Sequence, residues 1–163
     1  MKTKVLSLLV DNTSGVLSRV SGMFSRRGYN IDSLTVGVTQ DPKYSRMTVV
    51  VSGDDKILSQ IKSQLNKLED VVDIVELKDG ESVCRELVLV KVKANIEERQ
   101  QIISVANVYR ANIVDVSPDS LMIEITGNVN KIQAFINLLD GFEIEQIVRT
   151  GITGLTRGLY ANK

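Results

Sequence analysis

The strongest constraint on the fold of this chain is an internal repeat. Met47-Thr48-Val49-Val50-Val51-Ser52-Gly53-Asp54 lies over Leu121-Met122-Ile123-Glu124-Ile125-Thr126-Gly127-Asn128 at a spacing of 74 residues, and Asn30-Ile31 lies over Asn112-Ile113 at a spacing of 82. The identities are few. The matched order of apolar runs, glycines and polar turns carries the correspondence. The two spacings differ because the hairpin containing Asp41-Pro42 is longer than its counterpart around Ser117-Pro118-Asp119. With 163 residues, the chain has room for two small units of roughly 75 to 80 residues.

Within each copy the periodicities alternate. Lys4 to Val10 is a near-continuous apolar run, ended by Asp11-Asn12-Thr13-Ser14, and reads as a strand buried on both faces. From Gly15 the apolar residues Val16, Leu17, Val20, Met23 and Phe24 fall at helical spacing. Thr13 or Ser14 can cap that helix, and Gly28 stands where a left-handed C-terminal cap belongs. Asn30 to Val38 and Met47 to Val51 are extended, and Asp54 or Asp55 caps a helix carrying Ile57, Leu58, Ile61, Leu65 and Leu68. Val71 to Leu77 closes the unit as its fourth strand. The second copy repeats the order: strand 87–92, a helix capped by Asn95 with Glu98, strands 112–116 and 121–126, a helix through Ile132, Phe135 and Leu139, and strand 142–148. The expected architecture is α+β: two tandem ferredoxin-like βαββαβ domains, over 1–78 and 84–163, with a polar linker at 79–83.

Such a sheet covers one face with its helices and leaves the other bare. The first strand is apolar on both faces, and so is the fifth, where Leu87 and Leu89 oppose Val88 and Val90. An exposed face of that kind needs a cover, whether a second subunit, the other half or a larger partner, which predicts an obligate oligomer.

Several functions are excluded by composition. There is no histidine, so Ser-His-Asp and Cys-His catalysis and His-ligated metals are ruled out. The carboxylates are scattered over polar helix faces and turns (Glu97 and Glu98, Asp54 and Asp55) and assemble no catalytic or metal site. Lys plus Arg balances Asp plus Glu at 20 each, leaving no electrostatic footprint for nucleic acid or an anionic membrane. The single cysteine, Cys84, reads as a half-buried strand residue and fits a reducing compartment. The apolar run after Met1-Lys2-Thr3-Lys4 is too short for a span and lacks a small-residue cleavage site, so the expected location is cytoplasmic.

The fold class hosts many functions, and the first loop must decide among them. The central strands carry no aromatic side chains to stack bases. The loop Asp11-Asn12-Thr13-Ser14-Gly15 has no arginine to hold a phosphate, Arg19 lying a turn into the helix. A nickel-responsive regulator would need histidine and cysteine ligands and a DNA-binding segment, both missing. A glycine at a helix start lets a ligand approach backbone N–H groups that suit a carboxylate. The Asn12 amide offers a donor and an acceptor to a free amino acid. Equally, Asn12 and Ser14 can simply cap the helix while Gly15 makes the turn.

Asp11-Asn12-x-x-Gly15-x-Leu17 in this context resembles the ACT domain, an amino-acid-binding regulatory module. Ser18-Arg19-Val20, the run Phe24-Ser25-Arg26-Arg27-Gly28-Tyr29-Asn30-Ile31-Asp32-Ser33-Leu34-Thr35-Val36, Ser45-Arg46-Met47-Thr48, Arg85-Glu86-Leu87 and Arg149 to Gly158 resemble the small subunits of acetolactate (acetohydroxyacid) synthase over essentially the full length. The resemblance implies a regulator without a catalytic site of its own. Its partner would be a large subunit that holds thiamine diphosphate, Mg2+ and FAD. That partner condenses two pyruvates to 2-acetolactate and CO2, or pyruvate with 2-ketobutyrate. It also implies a homodimer through side-by-side ACT domains and feedback inhibition by valine or another branched-chain amino acid. The implied effector-binding residues are Asn12, Gly15, Val16, Leu17, Ser18, Asn30, Ile31, Leu34 and Val36, with Asn30 contributed by the neighbouring subunit. The Gly151 to Gly158 segment has no nucleotide-loop lysine and is expected to be a flexible tail. The alternative is a stand-alone ACT-type regulator of another enzyme.

Overall fold

The computed structural model describes residues 1–158. In the first unit β1 (Lys2–Asp11), α1 (Val16–Arg27), β2 (Ile31–Val38), β3 (Tyr44–Gly53), α2 (Asp55–Asn66) and β4 (Val71–Glu76) follow the expected βαββαβ order. The strands form an antiparallel sheet in the order β2-β3-β1-β4. Leu6, Leu8 and Val10 of β1 and Met47, Val49 and Val51 of β3 cluster with Val16, Val20, Met23 and Phe24 of α1 and Leu58, Ile61 and Leu65 of α2. Burying each such side chain is worth about 1.5–3 kcal/mol, whereas an exposed pair such as Lys2–Asp55 is worth ~0–1 kcal/mol. The apolar stripes, not the surface ion pairs, hold the helices on the sheet. α1 stops at Gly28, whose φ of 69° lets Gly28 and Tyr29 N–H groups reach the Ser25 and Phe24 carbonyls.

The second unit repeats the plan with β5 (Ser82–Lys93), α3 (Ile96–Val108), β6 (Asn112–Ser117), β7 (Ser120–Gly127), α4 (Val129–Leu138) and β8 (Glu143–Arg149), its sheet running β6-β7-β5-β8. Val88, Val90 and Val92 of β5 and Leu121, Ile123 and Ile125 of β7 are buried with Ile102, Ala106, Ile132 and Phe135 of its helices. On the opposite, helix-free face Leu89 pairs in register with Val148, which is largely exposed.

Two expectations need correction. The linker foreseen at 79–83 is partly strand, because β5 begins at Ser82. The Gly-rich tail, placed with the second half and expected to be flexible, contains a ninth strand, β9 (Thr153–Thr156), that pairs with β5. Residues 152–158 group with residues 1–84 as one compact unit, and 85–151 form the other. The tail's residues 159–163 lie outside the described part.

The physical reason lies on the helix-free face of the first sheet. Side chains alternate along a strand, so Ser7, Thr48 and Val50 point away from the helices, yet all three are buried. The Ile152 N–H donates to Ser33 Oγ at 3.0 Å, Thr35 Oγ1 donates to the Ile152 carbonyl at 3.4 Å, and the Arg157 N–H donates to the Glu81 carbonyl at 2.8 Å. Leu155 and Thr156 close a small cavity of about 50 Å³ with Ser7, Arg46, Val75 and Leu77. At Gly154 a Cβ would stand 2.8 Å from the Val83 carbonyl oxygen, so only glycine lets the strap lie this close. Part of the cover sought in another subunit is the chain's own C-terminal strand.

Candidate functional site

The loop between β1 and α1 is fixed at its start by backbone bonds. The Asp11 N–H donates to the Asp70 carbonyl at 2.9 Å and the Asn12 N–H to the Lys43 carbonyl at 2.8 Å. Asn12 is then engaged through both ends of its amide: Nδ2 donates to the Pro42 carbonyl at 3.0 Å, and Oδ1 accepts from Ser45 Oγ at 3.1 Å. It staples the loop to the β2–β3 hairpin. One Nδ2 hydrogen and one Oδ1 lone pair are left for a ligand.

The helix start itself differs from the expectation. Neither Thr13 nor Ser14 caps α1. Its N-cap is Gly15, at φ 85°, with no side-chain cap and no acidic residue in the first turn. The other helices are capped by side chains: Asp54 accepts from the Ile57 N–H, Asn95 and Glu98 form a reciprocal capping box, and Asn128 accepts from the Lys131 N–H. The N–H groups of Val16, Leu17 and Ser18 have no acceptor among the described residues. They carry the positive end of the helix dipole, an arrangement suited to a carboxylate. The matching loop of the second unit has the same topology, but there the Glu98 and Asn95 N–H groups are taken by the side chains of Asn95 and Glu98.

Of the other expected residues, Val16 turns its side chain into the core at 5% exposure and offers only its N–H. Leu17 and Ser18 are exposed beside the loop, and Val36 (49% exposed) lies toward the end of β2, on the way to the hairpin that Asn12 holds. Leu34 and Ile31 pack against the core from half-buried positions. Asn30 lies beyond the other end of α1, where Nδ2 donates to Asp32 Oδ1 at 2.7 Å. The first loop and Val36 therefore share one end of the unit, and Asn30 and Ile31 the other.

One residue set aside from sequence returns to the loop. Arg19 leaves the first turn of α1 and folds back over Gly15: a Cβ at position 15 would stand 2.8 Å from its Nη1. Its Nε donates to Asp70 Oδ2 at 2.5 Å and its Nη2 to the Ser14 carbonyl at 3.3 Å. The hydrogen bond to Asp70 raises the guanidinium pKa above its ordinary value. The signal was available: helical side chains lean toward the N-terminus, so a residue four positions after a helix-start glycine lies over it.

Taken together these features define a chain of two tandem ferredoxin-like domains, the first an ACT domain with an open helix N-terminus. Residues 6–73 match a family model described as the AHAS small subunit-like ACT domain, and residues 85–158 one described as the small subunit of acetolactate synthase. The chain is 51% identical over 157 residues to an acetolactate synthase small subunit of Mycobacterium bovis, covering 96% of this chain and 94% of that protein. It is 49% identical, with the same coverage, to a probable acetolactate synthase small subunit of Methanothermobacter thermautotrophicus. The crystal structure of the acetolactate synthase small subunit from Thermotoga maritima superposes with a TM-score of 0.88 at 41% identity, covering 97% of this chain and 99% of that one. The chain belongs to the acetolactate synthase small-subunit family.

Proposed function

We propose that this chain is the regulatory subunit of an acetolactate synthase, raising the activity of a thiamine-diphosphate-dependent large subunit and making it sensitive to valine. The large subunit, with its Mg2+ and FAD, condenses two pyruvates, or pyruvate with 2-ketobutyrate; this chain contributes no reacting group. The observation that carries the reading is near full-length likeness to acetolactate synthase small subunits at about half identity. The uncapped start of α1 supports a carboxylate-bearing effector there.

The site is completed between two copies. β2 is an edge strand, and its residues Val36 and Val38 are 49% and 64% exposed. An antiparallel pairing of β2 with β2 of a second copy sets the start of one strand beside the end of the other. It brings Asn30 of one copy to the Asn12–Gly15 loop of its neighbour, with Leu17 and Val36 as an apolar wall. Effector bound there favours one arrangement of the pair, and that arrangement grips the large subunit differently.

The test mixes the chain with the acetolactate synthase large subunit of the same organism and follows acetolactate formation with and without valine. Activation that valine reverses is expected. Absence of both effects points to a stand-alone amino-acid-binding regulator of another enzyme.

A further inference from the structure

We infer that Arg19, oriented by Asp70, is an additional effector-site residue that positions the loop for the effector's carboxylate; this rests on the effector reading above. Asp70 holds both sides of the loop. Its carbonyl takes the Asp11 N–H at 2.9 Å, and its carboxylate takes Arg19 Nε at 2.5 Å. Arg19 in turn reaches the Ser14 carbonyl through Nη2 at 3.3 Å. The stretch from Asp11 to Ser14 is thus held at both ends by Asp70, through its backbone carbonyl at Asp11 and through its ion pair with Arg19 at Ser14.

The clamp stands where the other three helices have a capping side chain. A side-chain cap would fix the first turn but occupy its N–H groups. Arg19 fixes the loop from behind, through a carbonyl, and leaves those donors open. Gly15 is part of the same device: its φ of 85° suits glycine, and Arg19 Nη1 lies over it, 2.8 Å from where a Cβ would stand. Nη1 is the nitrogen used in neither bond, and it adds a charge-assisted donor beside the helix N-terminus. The Arg19 side chain is 51% exposed, and an ion pair so open to water adds little to stability. Its consequence is the geometry of the loop.

The experiment titrates the full-length chain with L-valine and with L-valinamide, which lacks the carboxylate, using the wild type, Arg19→Gln, Arg19→Lys and Asp70→Asn, with thermal unfolding as the check of fold. Wild type is expected to prefer valine. Arg19→Gln should weaken valine by about tenfold or more while leaving valinamide unchanged, so the preference collapses. Arg19→Lys, keeping the charge without the fork, should fall between, and Asp70→Asn should erode the preference in the same direction. Equal weakening of both ligands, or valine binding in Arg19→Gln equal to wild type, would overturn the assignment. If Arg19→Gln does not fold, an unchanged preference in Asp70→Asn overturns it instead. A wild-type chain that binds none of valine, leucine and isoleucine overturns the effector reading itself, a result distinct from any variant's behaviour.

Discussion

Gly15 and Asn30 of one chain stand at opposite ends of α1, separated by its 12 residues, or about 18 Å of helix axis. A free amino acid cannot touch both. If both belong to one effector site, they come from different copies of the chain.

That geometry predicts complementation. Gly15→Asp alone and Asn30→Ala alone each spoil both sites of a dimer. Mixed after dissociation, they form hybrids in which one site is doubly altered and the other intact. Random pairing restores roughly a quarter of the sites. Valine binding measured on the mixture should recover to about that fraction; no recovery places both residues' effects within one chain.

The β2 edge predicts a dimerisation variant. Val36 and Val38 are exposed on β2, which pairs with β3 on one side and with no strand of the described residues on the other. Placing a charge on such an edge opposes strand pairing. Val38→Lys is expected to shift the monomer–dimer equilibrium toward monomer by tenfold or more, read by sedimentation, and to remove the valine response with it.

The amide of Asn12 predicts a stability effect that must be separated from ligand binding. Asn12→Ala breaks the bonds to Pro42 and Ser45, each worth about 0.5–1.5 kcal/mol. Asn12→Asp keeps the acceptor for Ser45 and loses the donor to Pro42. Denaturant unfolding should rank wild type above Asp and Asp above Ala. Equal midpoints for all three would show that these bonds carry no stability.

The second unit supplies the control. Asn95→Ala removes the α3 cap and should cost about 1 kcal/mol. Its loop enters α3 at Asn95 with an extended φ of −80°, without the left-handed glycine turn of the first unit, so valine affinity should not change. A changed affinity would mean that the second loop also binds effector.

The strap predicts the last variant. At Gly154 any Cβ meets the Val83 carbonyl, and Gly154→Val should lift β9 from β5 at a cost of about 1–3 kcal/mol. Limited trypsin digestion should then cut after Arg149 or Arg157 faster than in wild type. Unchanged cleavage would show that the strap tolerates the side chain.

The repeat, both helix pairs and the strand order were readable because they rest on periodicity, which local sequence carries. Gly28 as a C-terminal cap and the Asn95–Glu98 box were readable for the same reason. The cap of α1 was not: Thr13 and Ser14 have the right chemistry, and only the left-handed turn at Gly15 shows that neither is used. β9 has no signal in the local sequence because a four-residue strand rich in glycine and threonine has no distinguishing pattern; it is placed by pairing with β5 and by the bonds of the preceding Ile152 to Ser33 and Thr35, over a hundred residues earlier. Arg19 was judged by its position along the helix and not by where a long side chain in the first turn reaches.

The strap also bears on how the chain acquires its shape during synthesis. Domains ordinarily fold in the order in which they are made. Here residues 85–151 are contiguous, while the other unit takes residues 152–158 to cover part of its sheet. The half that begins first is therefore completed last, and until then Ser7, Thr48 and Val50 lack the strand that shields them. A factor that attends the nascent chain meets that face uncovered until residues 152–158 have emerged.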